Sequence, residues 1–501
     1  MKEFLIIDNI GFAYPNSESL FENVSFQCQA GWTGMVGPNG GGKSTLLKLV
    51  HGDLLPDYGT ILTPGFVHYA DQRMDQKPDD LRQFIYDFDK QSIRIKNRLR
   101  IQEEWLERWG RLSFGERKRC QVGLALAKDP AVLLLDEPSN HLDHYSKNIL
   151  LDTLQNFKGI GLLVSHDREL LDELCSHTIF VDSPHVDKRA CPYSLAIQER
   201  KREQASLQHE RETIKREVKK LKRRVQQQRK KAENADKQRS KRGLDRKDHD
   251  AKEKIDAARL SGKDGLQGRL YKRAQNQLER AEQKQGVIRT KKEYKLGISF
   301  DDVSKSHKFP LTISAGSLKM GETTLHIPDL SLMADEKIGI VGDNGAGKST
   351  FVKFLVNYLP LPDEKLIYIP QEIAMDEAAQ TVKRVQGKSD RDKGDIMTII
   401  RRLGSEPARL LETRTPSPGE LRKLMLAEGI QRSPALIIMD EPTNHMDLPS
   451  IQCVEDALRK CACSLLLVSH DYLFLRRIVT YFWVFERTDS TSRIVPRQTL
   501  R

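Results

Sequence analysis

The strongest constraint on the fold of this chain is an internal repeat. The nonapeptide LDEPSNHLD at residues 135–143 recurs as MDEPTNHMD at residues 439–447. A glycine-rich loop ending in GKST, a Ser-x-Gly-Glu tetrapeptide and an LVSHD pentapeptide recur in the same order. The copies lie 305 residues apart for the loop lysines and 304 residues apart for the other three motifs. One offset shared by four motifs predicts that an entire domain is duplicated.

Each copy alternates short apolar segments with helical patterns. The predicted strands include VSFQC, TGMVG, AVLLLDE and GLLVSHD in the first copy, and KIGIVG, ALIIMDE and SLLLVSHD in the second. Strands that alternate with helices indicate a mostly parallel sheet. We therefore predict two α/β domains in tandem, at residues 1–193 and 295–501.

The segment between the copies, residues 194–294, differs from them in composition and charge. From Gln198 to Tyr294 it holds 32 Lys and Arg against 16 Asp and Glu, a net charge of +16 in a chain of net charge +12. This asymmetry indicates a polyanionic partner for the segment. Good helix formers and a thin apolar stripe on each of two limbs predict a long antiparallel helical hairpin, a coiled coil. The stripes comprise Leu207, Ile214, Val218, Leu221 and Val225, then Leu270, Ala274, Leu278, Ala281 and Ile288.

Glycines predict where the hairpin turns, because they cluster at an irregular tip near residues 243–268. A limb of about 45 residues reaches about 70 Å. Alternative interpretations of the segment are a passive spacer, a disordered charged linker and a nuclear localisation tract. The apolar stripe disfavours disorder and the net charge disfavours a passive spacer, while a localisation tract needs far fewer residues.

Composition limits the class of protein. No run of about 18 apolar residues is present, so no membrane-spanning segment is predicted. The N-terminal sequence MKEFLIIDNIGFAYP is not typical of a signal peptide. The seven cysteines form no CxxC pair, and we expect buried, reduced thiols, including Cys461 and Cys463. These features together predict a cytoplasmic protein.

The two glycine-rich loops, GPNGGGKST and GDNGAGKST, each follow a predicted strand and precede a predicted helix. Glycines let successive backbone N–H groups face one point, and the N-terminus of the next helix completes an anion cradle. Lys43 and Lys348 are predicted to reach the β and γ phosphates of a nucleotide, and Ser44 and Ser349 to bind Mg²⁺.

The segments LLLDEP and IIMDEP end apolar strands in an Asp-Glu pair. Asp136 and Asp440 are predicted to hold the Mg²⁺ ion. Glu137 and Glu441 are placed to orient or deprotonate an attacking water. An isolated Asp-Glu pair is usually solvated surface charge, but the apolar strand before it and the loop upstream favour a hydrolytic site.

Further motifs resemble those of ABC ATPases. SFGE and SPGE resemble the ABC signature, and HYADQ and YIPQE place a glutamine at the Q-loop position. NHLD and NHMD match the D-loop, and the histidine of LVSHD matches the switch histidine. Two such modules in one chain, the wording DEPxNHxD and a charged helical linker together resemble the ABC-F family, and the resemblance covers essentially the whole chain.

The resemblance implies two composite ATP sites in a monomer whose two ABC domains pair head to tail. Each site would be completed by the Ser and second Gly of the signature of the opposite domain. The catalytic residues would be Glu137, Glu441, His166 and His470. The implied ATP-binding residues are Tyr14, Gly37, Asn39, Gly40, Gly42, Lys43, Ser44, Thr45, Gln72, Ser113, Gly115, Glu116, Asp136, Gly342, Asn344, Gly345, Gly347, Lys348, Ser349, Thr350, Gln371, Ser417, Gly419, Glu420 and Asp440. The implied Mg²⁺ ligands are Ser44, Gln72, Asp136, Ser349, Gln371 and Asp440.

Two departures from the family pattern stand out. Tyr14 lies where an aromatic ring stacks on adenine, but the second copy reads SLKMGETTLHI there, without an aromatic residue. Phe114 and Pro418 replace the first glycine of the signature. We expect weaker or different adenine binding in the second site, and we expect the signature changes to be tolerated.

The ABC-F resemblance implies a ribosome-binding protein that occupies the tRNA exit site. Its linker would point at P-site tRNA and the peptidyl transferase centre, contacting 23S rRNA and tRNA. The long linker favours protection of the ribosome from antibiotics over a housekeeping translation factor that relieves stalled ribosomes. Two other classes remain as alternatives: the ATPase subunit of a transporter, which leaves the basic linker unexplained, and a DNA-repair ATPase, whose coil normally splits one ATPase module.

Overall fold

The computed structural model describes residues 4–72, 76–140, 142–239, 265–287, 311–321, 323–405, 416–488 and 491–499. The chain divides into two compact units: Met1–Ala196 with Tyr294–Arg501, and Ile197–Glu293. The first unit contains both copies of the repeat. The predicted boundaries at 193/194 and 294/295 stay a prediction.

The first copy contains two sheets. Strands β1 (Leu5–Ala13), β2 (Ser19–Cys28) and β4 (Tyr58–Leu62) form an antiparallel sheet in the order β2-β1-β4. The other strands are β3 (Gly31–Val36), β5 (Val67–Ala70), β6 (Val132–Asp136), β7 (Ile160–Val164), β8 (His177–Asp182) and β9 (His185–Arg189). They form a sheet in the order β5-β6-β7-β3-β8-β9, parallel except for β9. The carboxyl ends of β3, β6 and β7, where the motifs lie, therefore meet at one edge.

The helices of the first copy follow these strands. They are α1 (Lys43–His51), α2 (Leu81–Ile85), α3 (Lys90–Leu99), α4 (Phe114–Ala127), α5 (His144–Leu154) and α6 (Arg168–Leu174), with 3₁₀ turns at Glu103–Leu106 and Trp109–Arg111. Capping residues fix several starts. The Asp143 carboxylate accepts from Ser146 N at the start of α5, and Ser113 and Glu116 form a capping box at the start of α4.

The second copy has a similar central sheet, but its N-terminal hairpin β11–β12 joins that sheet through β19. Its strands are β10 (Leu311–Ile313), β11 (Gly316–Met320), β12 (Thr323–Ile327), β13 (Leu330–Leu332), β14 (Lys337–Gly342), β15 (Leu366–Ile369), β16 (Leu436–Asp440), β17 (Ser464–Val468), β18 (Tyr481–Arg487) and β19 (Thr491–Arg497). Eight of them form one sheet in the order β11-β12-β19-β18-β14-β17-β16-β15. Its helices are α9 (Lys348–Tyr358), α10 (Met375–Gln386), α11 (Asp390–Arg402), α12 (Pro418–Ile430), α13 (Leu448–Lys460) and α14 (Tyr472–Ile478).

Each copy buries its own apolar core between the sheet and the helix that follows its glycine-rich loop. In the first copy Leu46 and Leu47 of α1 pack with β-strand residues such as Leu134 and Leu162. In the second copy Phe351 of α9 packs with the corresponding strands. The predicted tandem α/β architecture is confirmed.

The linker unit contains two long helices, α7 (Tyr193–Arg239) and α8 (Gly265–Val287). The predicted apolar stripe coincides with the least exposed positions of these helices: Val218, Ala274 and Ala281 are buried, whereas Leu207 is 44% exposed. Lys222 Nζ on α7 lies 2.9 Å from Glu282 Oε1 on α8, so the two helices are in contact. Their antiparallel pairing stays a prediction.

The predicted tip lies mostly outside the described residues. Helix α8 begins at Gly265, so residues 265–268 of the predicted tip have helical backbone, and residues 243–264 are not described. Ile288 also lies outside the described residues. Within the described residues, no helix is long and apolar enough to cross a membrane.

One prediction about the cysteines is wrong. Cys461 and Cys463, expected to be reduced, form a disulfide. The chain leaves α13 and enters β17 through a turn that brings their Cα atoms to 5.4 Å, within the usual range for a disulfide. The remaining cysteines are free, and Cys28, Cys120, Cys175 and Cys453 are buried as expected.

Candidate nucleotide-binding sites

The glycine-rich loops take the same shape in both copies. Gly42 and Gly347 precede α1 and α9 with φ angles of 94° and 96°, in the left-handed region that glycine enters without steric cost. Lys43 Nζ donates to the carbonyl oxygens of Gly37 and Pro38, each at 3.0 Å. The lysine therefore folds back over its own loop, and the helix N-terminus faces the space that the loop encloses.

Lys348 repeats this arrangement in the second copy. Its Nζ donates to Gly342 O at 2.6 Å and to Asp343 O at 2.9 Å. Burial lowers the pKa of Lys348, and the nearby carboxylates, Glu441 first among them, oppose that shift. A buried ammonium beside backbone N–H groups makes a strongly anion-attracting site.

The predicted magnesium ligands come together at the ends of the strands. Asp136 and Asp440 are the last residues of β6 and β16. Tyr69 Oη donates to Asp136 Oδ2 at 3.1 Å, and Ser349 hydrogen-bonds to Asp440. The glutamines after β5 and β15 line the same cavities. Residues with hydroxyl, amide and carboxylate oxygens thus line each cavity, and Mg²⁺ is bound by oxygen ligands.

The predicted catalytic glutamates have an unusual backbone. Glu137 and Glu441 have φ angles of 49° and 52°, a left-handed conformation that is rare for residues other than glycine. Hydrogen bonds from their N–H groups to Val164 O at 2.9 Å and Val468 O at 2.8 Å hold them there. Such backbone strain is concentrated at functional sites.

Each glutamate faces the predicted switch histidine of its own copy. His166 Nε2 lies 3.1 Å from Glu137 Oε1, and His470 Nε2 lies 3.6 Å from Glu441 Oε1. Burial raises the pKa of Glu441 to about 7 and lowers the pKa of His470 to about 3. In the first copy the pKa of Glu137 is likewise raised and the pKa of His166 is lowered, in both cases by burial. Both Oε1 atoms are buried and accept no hydrogen bond of good geometry from the described residues.

The two copies meet through their loops. Asn39 N donates to Asp447 Oδ2 at 2.8 Å, and Asn39 Nδ2 donates to His445 O at 3.0 Å. In the other direction, Asn344 N donates to Asp143 Oδ2 at 3.4 Å. Each glycine-rich loop therefore contacts the NHxD segment of the opposite domain, as expected for head-to-tail pairing.

Two cavities lie at this junction, and each takes residues from both domains. The first is lined by Tyr14, Leu20, Asn39, Gly40, Gly42, Lys43, Ser44, Thr45, Gln72, Asp136, Glu137, Asn140, Val164, His166, Ser417, Pro418 and His445. The second is lined by Ser139, Asn140, Leu142, Lys147, His166, Asp167, Met320, Thr323, Asn344, Gly345, Gly347, Lys348, Ser349, Thr350, Gln371, Asp440, Glu441, Thr443, Asn444, Ile451, His470 and Asp471. Most of the predicted ATP-binding residues are brought together in this way.

The signature residues are not placed equivalently. Ser417 lines the first cavity, whereas Ser113 and Gly115 do not line the second. Gly419 lines neither cavity. Glu116 and Glu420 lie instead in the capping boxes that start α4 and α12. These glutamates therefore cap helices, in addition to any contact that they make with ATP.

The adenine end also differs between the copies. Tyr14 Oη lies 3.1 Å from Thr45 Oγ1, so its ring stands next to the start of α1. In the second cavity Met320 and Thr323 occupy the corresponding end. Met320 lies close to Gly347, where a Cβ atom would be 2.4 Å from its sulfur. The lining of the second cavity thus includes a flexible thioether and no Phe, Tyr or Trp ring.

Sequence reasoning missed a pair of buried cations at equivalent positions in the two copies. Lys118 on α4 is 2% exposed and donates to the carbonyl oxygens of Asp71 at 3.0 Å and Gln72 at 3.3 Å. Arg422 on α12 is 1% exposed and donates to the carbonyl oxygens of Gln371 and Asn444. Both lie five residues after the signature serine, a repeat spacing that could have revealed them. They hold the glutamine segment against the signature helix.

Sequence reasoning also missed a cluster of ion pairs between the domains. Arg168 Nη1 lies 3.0 Å from Glu455 Oε2, and Arg168 Nη2 lies 3.5 Å from Asp471 Oδ2. Arg477 Nη1 lies 2.7 Å from Glu455 Oε1. Arg168 and Glu455 are buried. The first domain supplies the central cation and the second domain the anions.

Comparison with known proteins agrees with this geometry. The ABC transporter domain family matches twice, at residues 21–140 and 325–444. The ribosome protection protein VmlR of Bacillus subtilis (strain 168) is 28% identical, over 95% of this chain and 86% of its own length. The ATP-binding protein Uup of Buchnera aphidicola subsp. Schizaphis graminum is 25% identical, over 96% of this chain and 80% of its own length.

Among solved structures, the complex of archaeal ribosomal stalk protein aP1 with the ribosome recycling factor aABCE1 has a similar fold. The TM-score is 0.62 at 18% identity, over 98% of this chain and 90% of that chain. The two matched domains and these relatives show an ATPase and confirm the resemblance drawn from the motifs. The chain therefore contains two ABC transporter-family domains in tandem, and it is similar over most of its length to a ribosome protection protein and to Uup.

Proposed function

We propose that this protein binds the ribosome in an ATP-dependent manner. It occupies the tRNA exit site and extends its linker toward P-site tRNA and the peptidyl transferase centre. The observation that carries this proposal is the combination of two ATP sites built across a domain junction with a helical linker of net charge +16. The likeness to a ribosome protection protein over 95% of the chain supports the choice of partner.

ATP binding would close the junction between the domains. Lys43 and Ser417 line the same cavity, so an ATP molecule whose terminal phosphate binds Lys43 would bridge both domains. The same holds for Lys348 and the first-domain residues of the second cavity. Hydrolysis removes the bridge and favours opening, which is how a nucleotide switch works in general.

Magnesium would be held by the serine after each loop lysine, the glutamine after β5 or β15, and the aspartate that ends β6 or β16. The described residues contain no cluster of three or more His, Cys, Asp or Glu side chains that could hold a metal. A carboxylate, a hydroxyl, waters and phosphate oxygens suffice for Mg²⁺, which keeps much of its hydration. Bound Mg²⁺ neutralises phosphate charge.

Glu137 and Glu441 are proposed to orient and deprotonate the attacking water. Burial raises the pKa of both carboxyls, which makes each a better proton acceptor near neutral pH. His166 and His470 lie beside them and sense the terminal phosphate. Burial lowers the pKa of both imidazoles, so each is neutral and keeps one N–H donor.

The linker would bind nucleic acid through its backbone charge. Tyr271 is the only aromatic residue between Gln198 and Glu293, so base stacking has little part. Exposed Lys and Arg side chains along α7 and α8 suit contacts with rRNA and tRNA phosphates, and such binding weakens steeply with salt.

Within this function we favour protection of the ribosome from antibiotics that bind at the peptidyl transferase centre. The name of the relative VmlR and the long linker support it. The second candidate is a housekeeping factor that relieves stalled ribosomes, supported by the likeness to Uup over 96% of the chain. The two share ribosome binding and differ in the response to drugs.

The test uses the double variant Glu137→Gln, Glu441→Gln, which keeps the side-chain shape but removes the base. Ribosomes are pelleted through a cushion with ATP, with ADP and at rising salt. The variant is expected to pellet with ribosomes in ATP, not in ADP, and to be released by salt. A variant that stays in the supernatant under every condition would refute the proposal.

The choice between the two candidates needs a second assay. In vitro translation is run with a panel of peptidyl-transferase antibiotics, with and without the wild-type protein. Ribosome protection predicts restored translation with at least one drug class. Relief of stalls without any drug effect would favour the housekeeping role.

A further inference from the structure

Lys147 is a cation outside every predicted motif, yet it lies at the second nucleotide site. It is in the first turn of α5, four residues after Asp143. Its side chain lines the second cavity together with Lys348 and Glu441. A lysine of the first domain therefore lines the same cavity as the loop lysine of the second domain.

The first site has no counterpart to this lysine. The repeat aligns Lys147 with Ile451, because the preceding serines, Ser146 and Ser450, both donate their N–H to the capping aspartate. Ile451 is 2% exposed and cannot carry charge. Among the residues that line the first cavity, Lys43 is the only Lys or Arg, whereas the second cavity has two lysines.

The ammonium group of Lys147 has donors left for a second anion. Its Nζ lies 2.7 Å from Asp167 Oδ2, and its side chain is 19% exposed. An ammonium has three donors, and in the described part of the chain no other acceptor is within hydrogen-bonding distance of this one. The Asp167 carboxylate is shared, because its Oδ1 accepts from the N–H groups of Glu169 and Leu170 at the start of α6.

The electrostatic surroundings agree with this geometry. Burial lowers the pKa of Lys147, but Asp167 of its own domain and, to a smaller extent, Asp471 and Glu441 of the second domain raise it, and the net shift is upward. The same ammonium lowers the pKa of Glu441. The electrostatic interaction between Lys147 and Glu441 therefore crosses the junction between the two domains.

We propose that Lys147 is a trans-acting phosphate ligand of the second ATP site. Together with Lys348 it binds the γ-phosphate of ATP and the inorganic phosphate that hydrolysis releases. In that step a water oxygen bonds to the γ-phosphorus, the bond from phosphorus to the ADP oxygen breaks, and Glu441 takes the proton from the water. Lys147 transfers no proton; its charge stabilises the phosphoryl oxygens, as a positioned cation does in other phosphoryl transfers. The inference rests on the ATPase activity and is independent of ribosome binding.

The test measures each site alone. In a Glu137→Gln background only the second site hydrolyses ATP, and in a Glu441→Gln background only the first does. Lys147→Met is expected to lower kcat about 10-fold or more in the first background and to change it less than about twofold in the second. Lys147→Arg is expected to keep most of the activity.

A second readout separates phosphate binding from a structural role. Inorganic phosphate, added as a product inhibitor, is expected to inhibit the second site about 10-fold less strongly in the Lys147→Met variant. Equal loss of kcat in both backgrounds would show that Lys147 only supports the domain junction, and would overturn the proposal. So would unchanged kcat and phosphate inhibition. If Lys147→Met does not fold, Lys147→Gln gives the same comparison.

Discussion

The two nucleotide sites of this protein come from one repeated sequence, but they are not equivalent. Their inner parts match: a loop lysine folded over two carbonyl oxygens, a glutamate at positive φ and a neutral histidine beside it. Their outer parts differ. The first has Tyr14 at the adenine end and Ser417 from the opposite domain, and the second has Met320 and Lys147.

Whether a residue is the same in both sites depends on which domain or segment supplies it. Groups that come from the loop and strand ends of one copy depend on local sequence, which the repeat preserves. Groups that come from the opposite domain, or from the variable adenine segment, are free to diverge. The duplication therefore supplies two similar candidate nucleotide sites, and the residues contributed across the junction make them distinct.

The largest effect is expected from the two glutamates, which both nucleotide sites have in common. Replacing both Glu137 and Glu441 by Gln is expected to lower ATP hydrolysis at least about 100-fold, because both general bases are lost. Of the single variants, Glu441→Gln is expected to lose more activity, because the remaining first site lacks Lys147. Steady-state phosphate release measures this. Glu107→Gln, an exposed surface change, is the control. Equal losses from the two single variants would contradict the asymmetry.

The next effect concerns the junction that both sites share. Arg168→Met leaves Glu455 buried with only its half-exposed partner Arg477 and is expected to destabilise the folded protein by about 3–5 kcal/mol. Thermal unfolding with and without ATP measures it. Arg477→Met is the matched control with a smaller expected loss, because Arg477 is 55% exposed. If Arg168→Met unfolds like wild type, this ion pair does not stabilise the junction.

A smaller effect is expected at the end of each cavity where adenine would bind. In the Glu441→Gln background, Tyr14→Ala is expected to raise KM for ATP about 10-fold, since stacking of a base on a ring contributes about 1–3 kcal/mol. In the Glu137→Gln background, Met320→Ala is expected to raise KM about threefold, within the range of sulfur–aromatic contacts. Initial rates over a range of ATP concentrations give both values. A larger effect at Met320 than at Tyr14 would reverse the assignment.

Much of this architecture could be predicted from the sequence, because the motifs are local. The loops GPNGGGKST and GDNGAGKST and the strands before DEP fix a strand–loop–helix unit with few alternatives. The α/β tandem, the buried loop lysines and the positions of Glu137 and Glu441 follow from such short segments. The apolar stripe likewise identified Val218, Ala274 and Ala281 as buried linker positions.

The parts that could not be predicted depend on distant contacts. Arg168 and Glu455 are 287 residues apart in sequence, and no motif contains either. Lys147 becomes a site residue only because the two domains pair head to tail. The disulfide between Cys461 and Cys463 was missed because composition argues about compartments, whereas its formation depends on the turn between α13 and β17.

The signature serines offer the most direct test of the central claim that each ATP site is completed by the opposite domain. Ser417→Ala is made in the Glu441→Gln and Glu137→Gln backgrounds, and hydrolysis is measured in each. Ser417 also caps α12, but loss of that cap affects both backgrounds alike. The fall in kcat is expected to be larger in the Glu441→Gln background, where the first site works and Ser417 lines its cavity, than in the Glu137→Gln background. An equal fall in both backgrounds, or a larger fall in the Glu137→Gln background, where the active site and Ser417 belong to the same domain, would contradict the claim.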